Sequence, residues 1–247
     1  MRKTFEIFWN SFLFAVQELR KNKLRTFLSL LGITFGIFCI ISVMATVGSL
    51  ESSIKNEFKT FGNNTIYVQK WPWGGGGDYP WWKYVNRPNS KFKEVAPVKE
   101  RMTLASNVAY TYFNASSIDY NDVSLASVSW YGITEEFSVI QPVEIGWGRY
   151  LSSNEFAYGT ASVVMGHNVA EKLFDKPEYA LGKAVTIKGR KVNVIGIIKK
   201  QGQNLLGGWD FDNVIMIPYR FASQIGNENR SDGFLIVKGK ENVPVED

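Results

Sequence analysis

Residues able to perform acid–base or metal chemistry are few in this sequence. The single histidine, His167, opens an apparent helix without a second histidine or a nearby cysteine, so it lacks the partners of a catalytic base. Asp210 and Asp212 form an Asp-x-Asp step, but the further oxygens and the glutamate of an EF-hand loop are missing. Glu135 and Glu136 are adjacent and would point apart, which excludes a shared proton. We expect a helix-start histidine and a loop that leads into a strand.

Motifs for nucleophilic catalysis and phosphate binding are missing as well. The 247 residues contain no GxSxG elbow and no GxxxxGK[ST] loop, so they carry neither the hydrolase nucleophile turn nor the P-loop of an ATPase. One cysteine, Cys39, lies inside an apolar run and cannot form a disulfide within the chain. The sequence therefore predicts no catalytic residue, no metal and no cofactor.

The net charge of +5 is concentrated at one end of the chain. Residues 1–26 carry six Lys or Arg and two Glu, which leaves 22 basic and 21 acidic residues for the other 221 positions. That balance provides no basic surface to follow a phosphate backbone, so we exclude nucleic acid as a partner.

Residues 27–50 contain no charged side chain. As a helix they would extend about 36 Å, enough to cross a hydrocarbon core of roughly 30 Å. Thirteen of the 24 are Leu, Ile, Phe or Val, which together favour insertion by about 4 to 8 kcal/mol. A cleaved signal peptide would have a shorter apolar region closer to the N-terminus. We therefore predict an uncleaved transmembrane helix.

The charges that flank this helix predict its orientation. Four basic residues directly precede it, whereas the acidic and basic residues that follow it cancel. The preceding residues are Arg20, Lys21, Lys23 and Arg25. Because positive charge is retained on the cytoplasmic side, residues 1–26 should be cytoplasmic and residues 51–247 periplasmic or otherwise extracytoplasmic. The expected location is the cell inner membrane.

Two further patterns accompany the membrane segment. Residues 1–26 place aromatic and aliphatic residues at three- and four-residue steps, which is typical of an amphipathic helix at the membrane interface or against a partner protein. Within the span, Gly32 and Gly36 form a GxxxG step that Ser29 extends on nearly the same face. Small residues at this spacing allow another transmembrane helix to approach closely.

Beyond the membrane, residues 51–62 continue a helical pattern and form a predicted stalk. Residues 63–247 then alternate irregularly between strand-like and helix-like segments. This order indicates an α+β outer domain with mixed sheets, divided into two subdomains.

Two local features of this outer domain are predicted more specifically. A short helix around residues 91–96 should stop at Pro97, and a Gly189-Arg190 turn should join two strands.

Several segments, in order, resemble one family. ELRKNKLRTFLSLLGITFGI resembles the first membrane entry of MacB/FtsX-type ABC transporter permeases, and FGNNTIYVQ resembles the junction that follows it. GRYLSSNE, SVVMGHNVAEKLF, LGKAVTIKGRKVNVIGIIKKQG and NVIMIPYRFASQIG resemble landmarks of the MacB-like periplasmic core domain. By position, Lys23 to Thr26 match the membrane-entry motif, Gly148 and Arg149 match a Gly-Arg step, and three later glycines match turn and strand positions. These glycines are Gly182, Gly189 and Gly196.

The resemblance implies a permease subunit whose outer domain moves when a cytoplasmic ABC ATPase closes. It also implies a second permease subunit, as a homodimer or heterodimer, and in some members a periplasmic adaptor protein. Such permeases usually have three more transmembrane helices, and no second apolar span occurs before residue 247, so we expect a fragment. The alternative is a single-pass, membrane-anchored binding or sensor protein. The cargo is not encoded in any motif.

The stretch WPWGGGGDYPWW, residues 71–82, departs most from the family pattern. Its glycines lack the Lys and Ser/Thr of a phosphate loop, and a stalk and strand should hold it above the lipid headgroups. Trp71, Trp73, Trp81 and Trp82 are then candidates for contact with a partner or cargo. Packing of these four side chains over their own domain remains the alternative.

Overall fold

The computed structural model describes residues 2–60, 64–72, 80–202 and 209–240. The chain forms two compact units, Met1–Lys55 and Asn56–Asp247. The first unit contains helix α1, Arg2–Lys21, and most of helix α2, Lys23–Thr60. At 38 residues, α2 is about 57 Å long and exceeds the thickness of a bilayer core.

The second unit contains the remaining helices and all strands of the described chain. Its α-helices are α3 Val95–Arg101, α4 Phe137–Ile140, α5 Ser153–Tyr158, α6 His167–Phe174 and α7 Tyr219–Ile225. Its strands are β1 Thr65–Val68, β2 Ala105–Tyr120, β3 Val123–Ile133, β4 Ile145–Gly148, β5 Ser162–Met165, β6 Ala184–Ile187, β7 Arg190–Ile198, β8 Val214–Pro218 and β9 Asp232–Gly239.

The nine strands form one mixed sheet. Its order is β1-β9-β2-β3-β8-β5-β7-β4, and β6 pairs with both β2 and β7 outside this path. The β3–β8 and β5–β7 pairs are parallel, and the other pairs are antiparallel. The predicted α+β class with a mixed sheet is confirmed.

Both faces of the sheet are apolar. Alternate buried residues along a strand belong to two separate hydrophobic clusters. On β2, Val108, Tyr110 and Tyr112 belong to one cluster, whereas Ala109 belongs to the other. Helices α6 and α7 pack on the first face, and α4 packs on the second. Since successive residues of a strand point to opposite faces, the two cores lie on opposite faces of one sheet, and the division into two subdomains stays a prediction.

Two local predictions were wrong. Pro97 does not end a helix but lies in the first turn of α3, where the missing N–H of proline leaves no intrahelical hydrogen bond unmade. The turn between β6 and β7 consists of Lys188 and Gly189, both with positive φ, and Arg190 already begins β7. Successive positive φ values are typical of a type I′ turn, whose twist matches that of the paired strands.

Gly148 and Arg149 lie at the end of β4, where its backbone closely approaches the backbone of the paired strand β7. Gly148 has φ +79°, and a Cβ there would lie 2.3 Å from the Ile195 carbonyl oxygen. A Cβ on Gly196 would lie 2.2 Å from the Arg149 carbonyl oxygen. Glycine is therefore required at both positions by the approach of two backbones.

The Arg149 side chain extends from this contact between β4 and β7 to helix α5. It forms a bidentate ion pair with Glu155, with Nη1–Oε2 and Nη2–Oε1 distances of 2.7 and 3.1 Å. Glu155 also accepts hydrogen bonds from Ser152 N and Oγ, so it completes the capping box of α5. Burial alone raises the pKa of Glu155, but bonds from Arg149, Ser152 and Ser162 outweigh burial and lower it to about 2.

This ion pair predicts an acid-dependent loss of stability. Because the folded pKa of Glu155 is about 2 and its ordinary value is 4.5, its contribution is complete above pH 4.5 and is lost as the pH falls toward 2. Glu155→Gln should lower the free energy of unfolding by about 2 kcal/mol at pH 7, with a smaller difference at pH 3. Chemical denaturation at both pH values measures this effect, and Glu171→Gln, an exposed carboxylate on α6, is the control. Equal losses at the two pH values would contradict the assignment.

Candidate functional site

The first candidate region is the apolar surface of α2. Residues 23–55 are long and apolar enough to cross a membrane, with a mean hydropathy of 2.4 and no buried residue in the most apolar window. Gly32 and Gly36 have open space around them, because an added Cβ would meet no heavy atom within 4 Å. Ser29 is exposed. The GxxxG face is thus free of contacts with the described part of the chain.

The basic residues before the span lie around the break between the first two helices. Arg20 and Lys21 end α1, whereas Lys23 and Arg25 begin α2, and all four are exposed. Lys21 lies 3.7 Å from Glu18, an exposed ion pair of little energetic value. The helical part of the span therefore starts before residue 27, within the basic flank.

The second candidate region is the aromatic stretch after β1. Trp81 and Trp82 are 56% and 61% exposed, with ring centroids 6.2 Å apart in an edge-to-face arrangement. Trp71 is half-buried, and Lys70 Nζ lies 5.0 Å from the centroid of its ring. Trp73 lies outside the described residues. Trp81 and Trp82 are thus accessible among the described residues, and their contact with a partner or cargo stays a prediction.

The two aspartates considered as metal ligands in the sequence form hydrogen bonds that stabilise the fold. Asp212 is buried and accepts hydrogen bonds from Gln201 N and Gly202 N, so its carboxylate holds a loop. Asp210 accepts from Asn213 Nδ2 at 2.9 Å. The described residues contain no group of three or more His, Cys, Asp or Glu side chains suited to a metal ion.

His167 is the first residue of α6, as predicted. Its ring centroid lies 5.9 Å from that of Trp147. Glu135 accepts a hydrogen bond from Ser153, and Glu136 lies 3.8 Å from Lys99, so the two adjacent carboxylates face different partners.

A tyrosine cluster that the sequence did not indicate packs around Phe92. The Phe92 ring stacks on Tyr219 at 4.2 Å, and Tyr219 OH donates to Glu228 Oε2 at 3.0 Å. Burial, together with the nearby Glu228 carboxylate, raises the pKa values of Tyr110, Tyr112 and Tyr219 well above the ordinary range. These hydroxyls stay protonated, so the cluster supports packing and not proton transfer.

The sequence model of the family described as MacB-like periplasmic core domain matches residues 26–247. This match covers α2 from its first turn and the whole outer domain. It therefore includes the outer-domain segments by which the sequence resembled the family, and it begins at Thr26, the last residue of the membrane-entry motif.

Named relatives match along the same length. The macrolide export ATP-binding/permease protein MacB of Neisseria gonorrhoeae is 27% identical over 246 residues, covering 97% of this chain and 36% of that protein. The uncharacterized ABC transporter permease YvrN of Bacillus subtilis is 29% identical over 194 residues, covering 76% of this chain and 46% of that protein. The chain thus spans less than half the length of these relatives.

Two solved structures have the same fold. The periplasmic region of MacB from Actinobacillus actinomycetemcomitans matches with a TM-score of 0.60 and 19% identity, covering 75% of this chain and 79% of that one. The extracellular domain of the noncanonic ABC-type transporter YknZ from Gram-positive bacteria matches with a TM-score of 0.55 and 19% identity, covering 72% and 85%. With the family match over residues 26–247, these findings show that the chain belongs to the ABC transporter permeases with a MacB-like periplasmic core domain.

Proposed function

We propose that this chain is a permease subunit that couples a cytoplasmic ABC ATPase to mechanical work or efflux outside the cytoplasm. The observation that carries this proposal is the length of α2, which extends as one helix from Lys23 to Thr60. The predicted membrane span and residues 51–60 of the predicted stalk therefore belong to one helix, and residues 61 and 62 of the stalk lie outside the described residues. A continuous helix can transmit a displacement along its axis because its backbone hydrogen bonds join every turn.

The division of labour follows from the chemistry of the residues. The 247 residues contain no P-loop, so we assign ATP hydrolysis to an ABC ATPase outside these residues. The buried carboxylates Glu155 and Asp212 are used in a helix cap and in a loop. The outer domain would then act through contact and movement. The alternative, a membrane-anchored binding or sensor protein, has less support because the relatives that match the chain are named as ABC transporter permeases.

The membrane placement proposed here follows the charge of the flanks. The four basic residues around the α1–α2 break would remain on the cytoplasmic side of the inner membrane, with residues 51–247 in the periplasm or outside the cell. The small residues Ser29, Gly32 and Gly36 would contact a transmembrane helix of a second permease subunit. This contact would give the subunit a partner for the apolar surface of α2.

The exposed tryptophans would form a second contact surface. Trp81 and Trp82 lie close to the basic side chains of Lys83 and Arg87 in sequence, and Arg87 packs over the Tyr84 ring at 4.4 Å. Exposed tryptophan with neighbouring arginine is typical of residues that contribute strongly to binding. We propose that this surface, with Trp71 and Trp73, contacts the second permease, an adaptor protein or cargo.

Isolation of the full chain from its own membrane tests the proposed assembly. An ABC ATPase and a second permease copy should co-purify with it, and Gly32→Leu with Gly36→Leu should reduce recovery of the second permease, because the larger side chains separate the helices. Gly48→Leu is the matched control, since Gly48 also has open space but lies on a different side of α2. Recovery of the chain without any ATPase would contradict the permease function.

Substitution of the exposed tryptophans tests the second surface. Trp81→Ala with Trp82→Ala should change the free energy of unfolding by no more than about 0.5 kcal/mol, because both side chains are exposed. The same variant should weaken association with the partner or cargo by about tenfold or more. Thermal unfolding and quantitative recovery of the complex measure the two effects.

Tyr179→Ala is the control for this variant, since Tyr179 is 57% exposed in another part of the domain. It should leave recovery of the complex unchanged. A large loss of stability with unchanged association would assign Trp81 and Trp82 to packing.

A further inference from the structure

The chain enters the outer sheet at Asn64, which has an unusual backbone conformation. Its φ is +65°, in the left-handed region, which asparagine tolerates better than most residues. From this position its carbonyl oxygen accepts a hydrogen bond from Gly239 N at 2.8 Å. Its side-chain Nδ2 donates to the Lys240 carbonyl oxygen at 2.8 Å. We call these two bonds the Asn64 clasp.

The clasp joins positions that are far apart in sequence. Asn64 and Lys240 are separated by 176 residues. They meet because β1 pairs antiparallel with β9, with Thr65 opposite Lys238. The first residues of the outer sheet therefore lie beside the last residues of its final strand.

The end of β9 is also held from its other side. Ser106 Oγ donates to the carbonyl oxygens of Lys238 and Gly239 at 3.0 and 3.2 Å. Lys240 N donates to the Leu104 carbonyl oxygen at 2.9 Å. Since β9 pairs with β2 along most of its length, movement of Asn64 would be passed through β9 into β2.

Gly239 has a specific role in this arrangement. A Cβ at this position would lie 2.5 Å from Asn64 Nδ2 and 2.8 Å from Asn64 Cγ. Atoms this close would have to separate, so a side chain at residue 239 would displace the Asn64 amide. The position of the Asn64 amide therefore requires glycine at residue 239.

The other end of β1 is fixed by a buried polar contact. Gln141 is completely buried beside α4 and donates through Nε2 to Tyr67 OH. Burial raises the pKa of Tyr67, so the hydroxyl remains neutral. Strand β1 is thus attached along its edge to β9 and through Tyr67 to the second core, and it cannot shift without breaking buried contacts.

We propose that Asn64 is the positioning residue through which movement of α2 reaches the nine-stranded sheet. Four peptide units separate Thr60, the last residue of α2, from Asn64, so the chain between them spans at most about 14 Å. Displacement of the helix end would therefore load β1 at Asn64, and the clasp would distribute that load to β9 and β2. This inference rests on the proposed coupling function.

The test uses the full chain assembled with its ATPase in membranes. Hydrogen exchange of the outer sheet is compared with Mg²⁺–ATP and without nucleotide. Asn64→Asp removes the amide donor and places a carboxylate beside the Lys240 carbonyl, while aspartate still tolerates the left-handed conformation. In this variant, the nucleotide-dependent difference in hydrogen exchange of β9 and β2 should be lost. The thermal unfolding temperature of the domain should stay close to that of the unaltered protein. Gly239→Ala should have the same effect from the opposite strand.

Asn121→Asp is the matched control, since Asn121 also has positive φ but lies in the β2–β3 turn. It should retain the nucleotide-dependent difference. An unchanged difference in both Asn64→Asp and Gly239→Ala, or an equal loss in Asn121→Asp, would overturn the role of the clasp. No nucleotide-dependent difference in the unaltered complex would instead overturn the coupling function on which the clasp depends.

Discussion

Strand β9 lies between β1 and β2, so the first and last strands of the described sheet are neighbours. Strand β9 is hydrogen-bonded to β1 on one side and to β2 on the other. Strand β1 is the first strand after the long helix α2, and its hydrogen bonds to β9 hold it in the sheet. The rest of the sheet extends from this three-stranded edge through β3 and β8.

The two apolar faces of the sheet hold its strands together. Each face is buried by its own helices, and the closely packed side chains on both sides resist independent movement of single strands. Three buried polar side chains form hydrogen bonds that stabilise the fold. Glu155 caps a helix, Asp212 holds a loop, and Gln141 attaches β1 to the second core. These uses fit a domain that acts by contact and displacement.

Much of this architecture could be predicted from the sequence because its causes are local. The uncharged run of residues 27–50 predicts a long apolar helix, and α6 begins at His167 as expected. The role of Pro97 was mistaken because proline interrupts a helix interior but suits a first turn, and the pattern did not reveal where the helix began. Strand β1 comprises only residues 65–68, the four residues that find partners on β9.

Other features depend on contacts that no local pattern records. The Asn64 clasp joins residues 176 positions apart, and the Gln141–Tyr67 contact joins residues 74 apart. The same limit applies to the tryptophans, whose exposure depends on the surrounding fold. The structure describes Trp81 and Trp82 as exposed, whereas composition alone allowed either packing or contact.

A helix-breaking substitution in α2 tests whether movement is transmitted through an unbroken helix. After Cys39→Ala, a fluorophore on Tyr158→Cys is unique in the chain, and energy transfer to a labelled lipid reports the distance of the outer domain from the bilayer during ATP hydrolysis. We expect an ATP-dependent distance change that Ser52→Pro abolishes while hydrolysis continues, since proline costs about 3 kcal/mol inside a helix. Ser52→Ala should preserve the change. The same distance change in Ser52→Pro, or no change in the unaltered protein, would show that α2 does not transmit the movement.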